Sequence, residues 1–352
     1  MTQALHKLSF LRFLPLRIYI YYFLTAFTFI SLYFNKYIKD DTLFGYPVPY
    51  GEIGIKSVLN FQAILPVQYR ILVPYMYKFF SLFLPISGNY IVYIILTIFI
   101  FFILVAFYSL LNEYFKDKTI NSWIAPIVLY PLVRHVFYND GWMYYDIPSL
   151  LFIILGFIYI VKEKHNLLLL VYIVGFFNKD SVAYLAICFF IYNFKHMLKP
   201  KYIFYFLMMV LLYFGIKMIL VKILVSSNYK ASEQNVGLLD SGILGTLKLN
   251  LEVLRGYSTK LKLLIFSFGG LHILMFILLL NNRWKKFRSD LFSVNLVIIP
   301  FLLSAPLLFQ LTDWRDYIEI VPFITILFLI AFSTLKNSFL QPTDRLLTQK
   351  NN

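Results

Sequence analysis

Long apolar runs separated by short polar breaks fill this chain. The runs lie at 17–35, 88–111, 122–138, 145–161, 166–177, 181–194, 202–225, 263–281, 291–311 and 317–335. A helix crosses a bilayer core of about 30 Å with ~20 apolar residues. The runs lack the strict alternation of barrel strands. Backbone groups in hydrocarbon must be satisfied within the segment, so each run is expected to be helical. The pattern predicts an all-α polytopic membrane protein with about ten transmembrane helices. Residues 1–338 would form a single transmembrane domain and 339–352 a cytoplasmic tail. The first run follows Lys7, Arg12 and Arg17 with no small-residue cleavage site after it, as in a signal anchor.

The run at 166–177 is short for a span. At 1.5 Å per residue it reaches about 18 Å. Fusing it with 181–194 would reverse everything downstream and move RWKKFR (283–288) to the outer side. Two short helices meeting at Asn178, Lys179 and Asp180 preserve the charge pattern. A charged junction at membrane depth is tolerated where it lines a wet cavity or is buried in protein.

The loops differ in kind. The first outer loop, 36–87, begins with Asp40 and Asp41. It continues through GYPVPYGEIG and then QYRILVPYMYKFF, which carries Arg70 and Lys78. Its apolar, proline-punctuated second half predicts juxtamembrane helices in the interface. A second long outer loop, 226–262, places Leu244, Leu247, Leu251 and Leu254 on one helical face.

Composition agrees with the pattern: 60% hydrophobic and only 14% charged residues, against about 25% charged in soluble domains. The net charge of +15 raises nucleic acid as a partner, but lysine and arginine accumulate in cytoplasmic loops of membrane proteins. With the N-terminus inside, the short inner segments hold Lys116, Lys118, Lys162, Lys164, Lys195, Lys199, Lys201 and the RWKKFR cations. The short outer loops hold only Lys179 and Arg315. No nucleic-acid partner is therefore expected, and both termini are placed in the cytoplasm. Cys188 is the single cysteine, so no intramolecular disulfide forms. No histidine cluster supports a zinc site.

The short outer loops are chemically dense: NDGWMYYD (139–146), NKD (178–180) and TDWRDY (312–317). A bundle would bring their helix ends together. Asp140, Asp146, Asp180, Asp313 and Asp316 can accept hydroxyl hydrogens, and paired carboxylates can hold a divalent cation through oxygen. Trp142 and Tyr145 offer flat apolar faces with a polar handle. Arg70, Lys179 and Arg315 can hold a phosphate. Each also has a plainer role. Asp146, followed by Ile147 and Pro148, suits a helix N-cap. Lys179 and Asp180 suit a structural ion pair, and Arg70 a snorkelling side chain. Asp313, Arg315 and Asp316 suit a surface salt-bridge set.

This layout resembles the GT-C superfamily of integral membrane glycosyltransferases. Asp40 and Asp41 match the acidic position of that family's first outer loop. Asn139, Asp140 and Asp146 match that of the second. QYRILVPYMYKFF, YYDIPSLLFIILG and NKDSVAYLA are similar to segments of bacterial members, in the same order, over roughly residues 1–200. The resemblance implies transfer of a sugar, with inversion, from a polyprenyl-phosphate donor to a cell-envelope glycan, lipid or protein acceptor. It places the reaction on the extracytoplasmic face of the plasma membrane, as in polysaccharide biosynthesis. It implies Asp40 or Asp41 as base and a metal, Mg²⁺ or Mn²⁺, as a cofactor; on this reading Asp140 and Asp146 would bind the metal or the sugar. Adjacent aspartates stand where other members have DxD. Two other readings compete: a surface-polysaccharide polymerase or ligase, and a transporter or flippase of a lipid-linked substrate.

Overall fold

A computed structural model describes residues 15–34, 55–60, 63, 69–132, 143–224, 248 and 319–333. These residues are mostly helical and contain no strand. The elements are α1 (Leu16–Tyr33), α2 (Ile55–Leu59), α3 (Leu72–Ser81), α4 (Gly88–Tyr114), α5 (Lys118–Ile124), α6 (Met143–Val161), α7 (His165–Phe176), α8 (Tyr184–Tyr192), α9 (Pro200–Leu224) and α10 (Val321–Ser333). Short 3-10 turns at Ala125–Leu129 and Asp180–Ala183 extend α5 and precede α8.

Among the described residues, three helices are long and apolar enough to cross a membrane: Leu16–Tyr33, Gly88–Tyr114 and Pro200–Leu220. Shorter apolar helices accompany them, so the chain is a membrane protein built of helices. At 27 residues, α4 is about 40 Å long. It is apolar on every side, as expected of a helix surrounded by others. The apolar window of α4 is 67% buried, against 33% in α1 and 17% in α9. So α4 is central, and α1 and α9 are peripheral. One side of α4 packs on α1 and the other on α6, which in turn packs on α7 and α8.

Contacts fix the direction of each helix. Ser31 on α1 meets Tyr93 on α4, so α1 ends where α4 begins; this is taken as the upper end. Lys162, after α6, pairs with Glu113 near the end of α4 at 3.1 Å, at the lower end. A three-residue turn, 162–164, joins α6 to α7 in an antiparallel hairpin. Glu163 there takes φ 54, a left-handed conformation that costs a non-glycine residue about 1–2 kcal/mol. Ser181 beside Ser149, Leu185 against Gly156 and Phe189 against His165 show that α8 runs back down beside α6. Thus α7 and α8 rise and return as two short helices meeting at Asn178–Asp180.

One sequence expectation shifts. The run at 122–138 begins earlier, because Asp117 caps α5 by accepting from the amides of Thr119 and Ile120 at 2.9 and 3.0 Å. It then tightens into a 3-10 turn at Pro126, which lacks an amide donor. In the stretch 36–87, α3 is a short helix of the kind that its second half predicts, and α2 lies ahead of that half. α3 buries Val73 and Pro74 and exposes Tyr75 and Phe79. The proposed spans 263–281 and 291–311 and the loop helix near 244–254, apart from Lys248, lie outside the described residues.

Candidate functional site

Three helix ends converge at the top of the bundle. Asp146 lies in the first turn of α6. Glu319 stands two residues before α10. Lys179 follows the end of α7. Helix N-termini favour anions and C-termini favour cations, so each charge sits at the pole that suits it. Asp146 falls inside the first turn and does not serve as the N-cap, because α6 already starts at Met143.

Lys179 Nζ lies 3.0 Å from Asp146 Oδ1 and 3.0 Å from Glu319 Oε1. The three side chains are 8%, 4% and 0% exposed, so this is a buried triad and not a surface pair. Two hydroxyls complete it. Ser181 Oγ donates to Glu319 Oε1 at 2.6 Å, and Ser149 Oγ donates to the same oxygen at 3.2 Å. Two carboxylates facing one ammonium leave the triad one negative charge in excess. Burial of such a charge is costly unless it is paired and hydrogen-bonded.

The turn that carries Lys179 is itself tied down. The amides of Asn178 and Lys179 donate to the carbonyl of Gly175 at 2.9 and 3.1 Å. Asn178 Nδ2 donates to the carbonyl of Tyr145 at 2.6 Å. A Cβ on Gly175 would stand 2.9 Å from Val182 Cγ1 and 3.0 Å from Phe152 Cβ, so only a glycine lets α7 approach α6 this closely.

The segment that leads into α3 reaches the same place. The Leu72 amide donates to the carbonyl of Phe177 at 3.0 Å. The Arg70 guanidinium lies 5.3 Å from the centre of the Tyr145 ring, within cation–π range. Asp180 turns the other way and pairs with Lys217 on α9 at 3.2 Å, both groups being partly exposed.

Of the residues expected at the site, Arg70, Tyr145, Asp146 and Lys179 are brought together, with Asp180 beside them. Asp40, Asp41, Asp140, Trp142, Asp313, Arg315 and Asp316 lie outside the described residues. Glu319, Ser149, Ser181 and Lys217 were not singled out from the sequence as site residues. Glu319 had a signal: it is a lone carboxylate between Ile318 and Ile320, at the mouth of an apolar run.

Among the described residues no group of three or more His, Cys, Asp or Glu side chains forms a metal-ligand set. Asp146 is engaged by an ammonium ion, which repels a second cation, and its expected co-ligand Asp140 lies outside the described residues. The described donors therefore do not make a metal centre at Asp146. Comparison with protein-family models, with curated proteins and with solved structures finds no match.

Proposed function

We propose that the chain is an integral membrane glycosyltransferase of GT-C type, moving a sugar from a polyprenyl-phosphate donor to a cell-envelope glycan, lipid or protein acceptor. The observation that carries this reading is the convergence of Arg70, Tyr145, Asp146, Lys179 and Glu319 at one end of an apolar bundle. Ionisable groups buried among membrane helices are costly and mark functional sites. Cations and aromatic faces suit the phosphate and sugar of a lipid-linked donor. The family resemblance supplies Asp40 or Asp41 as base. About ten spans, a plasma-membrane location and an extracytoplasmic site belong to the same proposal. Charge supports that orientation: Lys116, Lys118, Lys162, Lys164, Lys195, Lys199 and Lys201 all lie in or beside the lower turns, as cytoplasmic loops require.

A second reading has one observation in its favour. A lysine between two buried carboxylates also suits proton relay in a transporter, whose vesicles would show substrate flux.

The test is incubation of the protein in lipid with a panel of polyprenyl-phosphate sugars, with and without Mg²⁺ or Mn²⁺. Release of polyprenyl phosphate that disappears in a D40N/D41N variant supports the transferase. Release that persists in that variant removes the first-loop base.

A further inference from the structure

The triad holds its two carboxylates differently. Glu319 Oε1 accepts from Lys179, Ser181 and Ser149. Its other oxygen, Oε2, is buried and has no hydrogen-bond donor among the described residues. The carboxylate is thereby fixed by one oxygen and left with an acceptor to fill. Asn178, adjacent to Lys179, repeats the arrangement. Its Nδ2 is committed to the Tyr145 carbonyl, which fixes the amide orientation, and its Oδ1 is buried without a donor. Both residues are 0% exposed. An orphaned buried acceptor costs about 1–3 kcal/mol, more when charged, so these two, one on a residue bonded to Lys179 and one on the residue before it, leave acceptors that the described residues do not fill.

The chemistry of those donors is narrowed by the neighbours. A divalent cation wants six or more oxygens, and the Lys179 ammonium already occupies the space between the two carboxylates. A cationic amine is drawn by the excess negative charge of the triad but meets repulsion from Lys179 at close range. Neutral hydroxyls meet none: they donate to a carboxylate in short, strong bonds and to an amide oxygen as well. Ser181, bonded to Glu319, is itself partly exposed.

We infer that Glu319 Oε2 and Asn178 Oδ1 form a hydroxyl-binding subsite for a sugar. The inference rests on the transferase reading, whose substrates are the polyhydroxylated ligands in question. Glu319 is here a substrate-binding residue that orients a sugar through its hydroxyl.

The experiment uses the full chain in lipid nanodiscs and methyl glycosides of common hexoses and N-acetylhexosamines as probes. Infrared difference spectra of protein labelled with ¹³C-glutamate are recorded as each glycoside is added. Glycoside affinity is compared among wild type, E319D and E319Q. In E319Q the amide oxygen keeps the serine and lysine donors, while a donor replaces Oε2. The expected result is a shifted glutamate carboxylate band with at least one glycoside. Its affinity falls about tenfold or more in E319Q, one charge-assisted hydrogen bond, and less in E319D. A wild-type band that no glycoside moves, or one that responds only to exchange of water for heavy water, overturns the subsite. So does E319Q binding equal to wild type. Glycoside binding without polyprenyl-phosphate release from any donor sinks the transferase and leaves the subsite standing. Release with unchanged KM for both donor and acceptor in E319Q does the reverse.

Discussion

Lys179 and Asp146, 33 residues apart in the chain, meet at 3.0 Å in a buried ion pair that joins the top of α7 to the top of α6. Glu319 closes the same lysine from α10, 140 residues away. The strength of this junction follows from its burial. Removing one partner of a buried pair strands the other charge, at a cost of about 3–5 kcal/mol. K179M is therefore expected to melt well below wild type in detergent. D146N/K179M keeps the net charge of the cluster and is expected to recover part of the loss. Equal melting of K179M and wild type would show that the triad is not buried as described.

The lower-end pair gives the contrast. Lys162 and Glu113 are 23% and 16% exposed at their side chains, so solvent shares the interaction. E113Q is expected to cost less than about 1 kcal/mol and to lose its effect in high salt, read from melting curves at two ionic strengths.

Three glycines form a graded series. At Gly175 a methyl group meets Val182 and the Cβ of Phe152, one of which is rigid to its backbone. G175A should cost about 1–3 kcal/mol and loosen the turn that carries Lys179. At Gly156 the obstacle is the far end of the Leu185 side chain, which can move, so G156A should cost less. At Gly215 nothing lies within 4 Å, so G215A should be neutral or stabilise by about 0.5–1 kcal/mol of helix propensity. Melting temperatures in the order G215A, G156A, G175A, highest to lowest, are the expected outcome.

The segment that leads into α3 is docked partly through Arg70 and Tyr145. A double-mutant cycle of R70A and Y145L should return a coupling of about 0.5–2 kcal/mol. Zero coupling would mean that the Arg70–Tyr145 contact does not hold this segment, leaving its backbone bond to Phe177 and its packing on α4.

Much of this was legible in the chain, for reasons that differ by residue. The rise-and-return of α7 and α8 follows from length and charge: twelve apolar residues cannot cross a core, and NKD interrupts them. Asp146 and Lys179 stood out because each is a charge at the edge of an apolar run. Their pairing with each other was not legible, since Lys179 has Asp180 as its neighbour in sequence. The structure sends Asp180 to Lys217 instead. Glu319 was missed for a related reason. Periodicity reports the faces of one helix and is silent on which distant helix end meets it. The α5 boundary was missed because the Asp117 cap lies outside the apolar run it starts.

The most direct test of the account is release of polyprenyl phosphate in proteoliposomes by wild type and by D146N/K179M. The account predicts release by wild type from at least one donor sugar. It predicts a fall of about a hundredfold or more in the variant, the scale on which removal of a preorganised polar group acts, with the variant still folded. No release from any donor by folded wild type, or undiminished release by the variant, would contradict it.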